Sequence, residues 1–213
     1  RNIKVNLPAS AFTQQVGVTL QIPQRYPASV ASQGGQSVIP LNLGLEVNLD
    51  QPVQPGVEVP LTLGYQTADL AGTREELLQV VRYDPDKDIW IPMRTTVDSA
   101  NKSITGYTNH FSLFRVVSKT AAANVNECAV YPNPLRPHLG HTQMSFDNLN
   151  ENASVKIYTY LGELVRELKA NAQGLALWDG RNRGNEWVGS GGYIALIEGA
   201  DNSKKSIVIG VER

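Results

Sequence analysis

Apolar and polar positions alternate with a period of two along most of this chain, and that alternation predicts strands rather than helices. Val16, Val18, Leu20 and Ile22 line one face of the first clear strand. Ile39, Leu41, Leu43, Leu45, Val47 and Leu49 form a longer one, and Val57, Val59, Leu61, Leu63 and Tyr65 another. Pro40 and Pro60 sit in the polar phase of those runs, which places them at strand beginnings or sheet edges, because proline cannot donate to a ladder. Leu77, Leu78, Val80 and Val81 predict a buried strand preceded by one helical turn. Asp84-Pro85-Asp86-Lys87-Asp88 predicts a hairpin tip before Ile89-Trp90-Ile91, and residues 98–102 a second tip between Thr95–Val97 and Ile104–Tyr107. Residues 110–117 close this first half.

A second set of strands is expected near 128–131, 142–146, 153–160, 163–168, 175–178, 192–198 and 204–211, with a tight turn at Tyr160-Leu161-Gly162-Glu163. The fold class expected is all-β, as two immunoglobulin-like β-sandwich domains in tandem. The first spans 1–118, a linker spans 119–127, and the second spans 128–213. Ala121-Ala122-Ala123 in the linker is too short to form a helix on its own.

Composition agrees with this pattern and removes several functions. At 213 residues two domains are the natural division, and 18 glycines with 12 prolines favour short strands and turns. A net charge of -1 supplies no basic excess for nucleic acid or an anionic membrane. No apolar run approaches the about 20 residues of a spanning helix. Cys128 is the single cysteine, so no internal disulfide forms, and its apolar neighbours predict a buried, inert thiol. The chain opens at Arg1 with no leader pattern, and the reading is of the carboxyl-terminal piece of a longer protein.

The later half carries the most specific words: Tyr131-Pro132-Asn133-Pro134, Val155-Lys156-Ile157-Tyr158, Gly162, Leu164-Val165, Trp178-Asp179-Gly180-Arg181-Asn182, Gly184 and Ser190-Gly191-Gly192-Tyr193. In this order they resemble the C-terminal sorting domain of type IX secretion substrates and the immunoglobulin-like domain of the flagellar hook-capping protein. Physically, Pro132 and Pro134 are expected to hold an extended lead-in strand, Trp178 to plug the core, and Asp179-Gly180 to start a turn that Asn182 and Gly184 complete. The resemblance implies a bacterial, secreted or cell-surface location and a role in export, anchoring or surface assembly.

Residues 38–117 resemble the β-sandwich module of ankyrins and netrin receptors, on Leu78-Gln79-Val80-Val81-Arg82-Tyr83, Trp90-Ile91-Pro92 and Thr108-Asn109-His110-Phe111-Ser112-Leu113-Phe114. In some members of that family a His-Phe-Ser tripeptide cleaves itself. Carried over, Ser112 is the nucleophile, His110 the base, and Phe111–Ser112 the scissile bond. The alternative is a strand that closes the sandwich, with Phe111 and Leu113 on one side and Ser112 and Phe114 on the other.

Other candidates are weaker. Asp84, Asp86 and Asp88 alternate like a calcium loop, but Ile89 and Thr95 occupy its glycine and glutamate positions, so a solvated tip is expected. His138 and His141 have no acidic or thiol partner nearby in sequence, and neither a metal nor a cofactor is expected. Trp90, Trp187 and Tyr193 are candidates for a glycan-stacking platform, with Trp90 expected in the core. The expectation as a whole is a non-catalytic structural module whose partners are other copies of itself or secretion components. Residues 1–7 and 206–211 are its candidate pairing edges.

Overall fold

The computed structural model describes residues 2–27, 35–54 and 56–213, and every sheet in it is antiparallel. The chain divides into two compact units, one of Arg1–Ala31 with Val38–Lys119, the other of Ser32–Ser37 with Thr120–Arg213.

The first unit contains β1 (Ile3–Val5), β2 (Val18–Gln21), β3 (Val38–Leu49), β4 (Val59–Gly64), β5 (Leu78–Asp84), β6 (Ile89–Pro92), β7 (Thr95–Asp98), β8 (Ser103–Thr108) and β9 (Leu113–Lys119). They form a five-stranded sheet in the order β2-β3-β9-β5-β6 and a four-stranded sheet in the order β1-β4-β8-β7. Alternation explains the core. Leu41, Leu45, Val47, Leu78, Val80, Phe114 and Val116 come from one sheet, Leu61, Leu63 and Ile104 from the other, and all pack in one cluster. Gly106 allows the approach, since a Cβ there would lie 2.8 Å from Val80 Cγ1. Pro60 sits at the start of β4, and Pro40 lies where the β3–β9 register shifts, so neither proline breaks a regular ladder.

The second unit contains β10 (Ala129–Tyr131), β11 (Met144–Asp147), β12 (Ser154–Thr159), β13 (Leu164–Lys169), β14 (Ala176–Trp178), β15 (Gly191–Glu198) and β16 (Lys204–Val211). Its sheets run β10-β11-β14 and β13-β12-β15-β16. Trp178, Phe146 and Met144 face Val155, Ile157, Ala195, Ile197 and Ile209 in one core.

Two expectations need correction here. The stretch 119–127 is not a free linker. Lys119 ends β9, the Ala121 and Ala122 amides donate to Ala172 O and Leu149 O, and Val125 is fully buried in the second core. Apolar side chains within an otherwise polar, alanine-rich run drive that docking. Pro132 and Pro134 do not extend a strand either. Both are preceded by cis peptide bonds, and residues 132–134 form bends after β10.

Candidate functional site

His110, Phe111 and Ser112 lie in the bend that leads from β8 into β9, which begins only at Leu113. The face assignment expected for a continuous strand therefore fails. Phe111 packs on the first core, and its ring meets that of Phe114 edge-on at 6.2 Å and 79°, so the two aromatics share a side. Thr108 fixes the bend, its hydroxyl donating to His110 O while accepting from the His110 amide at 3.1 Å.

The Ser112 hydroxyl donates to Tyr83 O at 2.8 Å, and the Val47 amide donates to Ser112 O at 2.9 Å. Ser112 thus stitches the start of β9 to β5 and β3, and its proton points to a carbonyl rather than to the His110 ring. The surrounding protein pushes the His110 pKa down although part of the ring faces water, with the Arg82 guanidinium adding to the effect and Asp84 and Asp86 opposing it. A neutral imidazole at pH 7 has the protonation state of a base, but the hydroxyl it would activate is turned elsewhere.

Next to this bend lies an aromatic cluster. The Tyr83 and Trp90 rings are 5.3 Å apart, Tyr26 lies 6.4 Å from Trp90, and the Arg115 guanidinium sits 4.1 Å above Tyr26. Arg115 Nε also donates to Leu41 O at 3.0 Å, and Tyr83 Oη donates to Asp88 at 2.6 Å. Trp90 is half-buried in this cluster and takes no part in the central core, which corrects the sequence expectation. Gly44 makes room for the cluster, because a Cβ there would lie 2.5 Å from Tyr26 Oη and would also collide with Phe114 O. Asp84, Asp86 and Asp88 build the β5–β6 hairpin tip, where the Asp86 amide donates to Asp84 Oδ1 at 3.2 Å.

In the second unit the quoted words become structural parts. Asn133 imitates a strand residue beside β16: its Nδ2 donates to Val208 O at 3.1 Å, and the Gly210 amide donates to its Oδ1 at 2.9 Å. Leu135 continues the imitation, its amide donating to Gly210 O and its carbonyl accepting from Glu212. The edge of residues 206–211, expected to be open for pairing, is therefore occupied by the chain itself along Val208–Glu212. The bends at Pro132 and Pro134 lay Asn133 and Leu135 along it.

Trp178 is fully buried, edge-on to Tyr193 at 5.9 Å, and donates from Nε1 to Arg181 O at 2.9 Å. Asn182 organises the following turn, its Oδ1 accepting from the Glu186 amide and its carbonyl from the Asn185 amide. Gly180 has φ +74°, and a Cβ there would lie 2.7 Å from the Trp187 ring, so the turn needs glycine twice over. Tyr193 is buried and donates to Gly189 O at 2.8 Å, which removes it from any glycan platform. Trp187 is half-buried, with the Arg181 guanidinium 4.7 Å and the Arg213 guanidinium 5.7 Å from its ring.

His138 and His141 turn to separate partners, Glu212 O and the Arg136 amide. Cys128 is buried, and burial above all lifts its thiol to about 12, although Lys205 opposes this. No helix among the described residues is long and apolar enough to cross a membrane.

No known family profile matches the chain, and no curated protein matches it. Among solved structures it is distantly similar to PorZ, an essential bacterial surface component of the type-IX secretion system of the human oral-microbiomic Porphyromonas gingivalis. Identity is 19%, the TM-score is 0.38, and the match covers 84% of this chain and 22% of PorZ. It is also distantly similar to dimeric latent PorU of the same organism, at 12% identity and a TM-score of 0.27, over 83% of this chain and 20% of PorU. The chain spans about a fifth of the length of either protein.

Proposed function

We propose that this chain is a non-catalytic structural module of a secreted or cell-surface bacterial protein, built from two immunoglobulin-like sandwiches. Its second unit serves export and anchoring or the building of a surface assembly, with other copies of itself or secretion components as partners. One observation carries this reading: the residues that make 128–213 resemble a sorting or hook-cap domain are engaged in that unit's own fold. Asn133 closes an edge, Trp178 fills the core, and Asn182 shapes a turn. Side chains committed in this way hold the unit's own fold together, which suits a structural role. The engagement of the Ser112 hydroxyl by Tyr83 O supports the non-catalytic part of the reading.

The test is deletion of residues 128–213 from the parent protein in its native bacterium, followed by immunoblots of periplasm, cell surface and medium. Retention in the periplasm is expected if the unit directs export. Normal export with loss of the surface assembly is expected if it is a building block. A parent that is exported and assembled as before would refute both.

A further inference from the structure

The least protected edge of the described sheets is β2. Every one of its residues is exposed, and among the described residues it pairs with β3 and with no other strand. Its exposure is not that of an outward, solvated face. Val18 stands opposite Leu49 and Leu20 opposite Val47, so both share the face that Val47, fully buried, turns to the core. Cross-strand partners lie on one side of a sheet, so the apolar inner face runs on past Val47 and is left uncovered. Val18 is 40%, Leu20 48% and Ile22 67% exposed.

The backbone is open as well. The Asp50 amide donates to Gly17 O at 3.3 Å, and this sets the phase of the β2–β3 ladder. Gly17, Thr19 and Gln21 aim their backbone groups at β3, while Val18 and Leu20 aim theirs outward. Ile22 precedes Pro23, which holds it extended and prolongs the free edge in the same phase. Pro23 falls in the phase that points toward β3, so its missing N–H removes nothing from the open side.

Other edges are guarded. β1 carries Lys4, β7 carries Asp98, β13 carries Arg166, Glu167 and Lys169, and β6 follows the acidic tip at 84–88 and ends at Pro92. β16 is covered by Asn133 and Leu135, and β10 and β14, though uncharged, have no exposed residue. Between Lys4 and Arg25 the sequence holds no charged residue at all. Charge and proline are the usual means of keeping edges apart, and β2 lacks both.

We propose that the occupant of this edge is β2 of a second copy of the chain, running antiparallel and centred on Leu20. In that register Leu20 faces Leu20, Val18 faces Ile22 and Thr19 faces Gln21. Apolar side chains thus meet on the inner face and polar ones on the outer, with no charges to oppose. A two-fold pairing consumes the β2 edge of both copies and closes at the dimer instead of growing into a fibre. A single short strand pair with three apolar side chains a copy lies at the small end of specific interfaces, so association is expected at micromolar concentrations. This inference goes beyond the proposed function, which gives assembly to the second unit, by placing a self-pairing edge in the first; it fails separately, since the deletion above probes only residues 128–213.

Sedimentation equilibrium of residues 1–213 over a micromolar concentration series, with amide exchange at Val18 and Leu20, provides the test. The unaltered chain is expected to dimerise and go no further, with both amides protected. Leu20→Lys sets two like charges against each other and is expected to weaken the dimer at least about tenfold and release both amides. Ala200→Lys adds the same charge at an exposed turn in the other unit and is expected to change neither. Should Leu20→Lys fail to fold by circular dichroism, Leu20→Thr, which keeps a strand-forming residue, decides in its place. A chain that stays monomeric, one that grows beyond two, or a dimer indifferent to these Leu20 substitutions would overturn the proposal.

Discussion

Replacing Trp178 with alanine removes the largest fully buried side chain among the described residues. Truncating a buried tryptophan costs about 3–5 kcal/mol, because apolar transfer is lost and a cavity remains. The Nε1 bond to Arg181 O and the edge-on contact with Tyr193 go with it, which places the loss toward the upper end of that range. Domains of this size are held by about 5–15 kcal/mol, so the second unit is brought close to its folding threshold. Urea unfolding followed by far-ultraviolet circular dichroism is the assay. With a slope of about 1–3 kcal/mol per molar, the transition of the second unit is expected to move down by about 1–5 M. Trp178→Phe keeps most of the ring and forfeits mainly the hydrogen bond, for a loss of about 1–2 kcal/mol. If Trp178→Ala shifted stability by less than about 1 kcal/mol, the side chain would not be the plug described here.

Ser112→Ala deletes the hydroxyl that donates to Tyr83 O and is expected to destabilise the first unit by about 1 kcal/mol, read as a lower urea midpoint. Glu75 is held down to about 2, first by the hydrogen bond from Lys102 and then by that from Ser99. Its contribution to stability is therefore complete above the ordinary value of 4.5 and is lost as pH falls from there through about 2. Lys102→Met is expected to raise the Glu75 carboxyl pKa in an NMR titration and to move acid unfolding to higher pH. Cys128, buried with its thiol lifted to about 12, is expected to resist iodoacetamide at pH 8 until denaturant is added. Rapid labelling of the native chain would contradict that burial.

Period-two alternation made β2, β3, β4, β15 and β16 legible, because each keeps a run of apolar residues on one face over four or more positions. β1 offers only Ile3 and Val5 around Lys4, too short a run to carry a signal. Phe111 departs from the face that alternation predicts because alternation holds only inside a strand, and the chain bends until Leu113. Trp90 gave no local sign of its neighbours, since Tyr26 reaches it from a distant part of the chain. Tyr193 follows a Gly-Gly pair, a pattern that marks close backbone approach but not which face the ring takes. Asn133 as a surrogate strand residue was unreadable, because its partners Val208 and Gly210 lie some seventy-five residues on. The uncovered state of β2 is equally hidden: sequence shows its apolar face, and only the folded chain shows Val18 and Leu20 exposed on an edge strand.

Whether this chain is a structural body or a self-processing one comes down to the bond between Phe111 and Ser112. The intact mass of the purified chain, taken under denaturing conditions after prolonged incubation at neutral pH, addresses it most directly. A single species of full length is expected, because the Ser112 proton is committed to Tyr83 O and turned from the His110 ring. Two fragments meeting at that bond would contradict it.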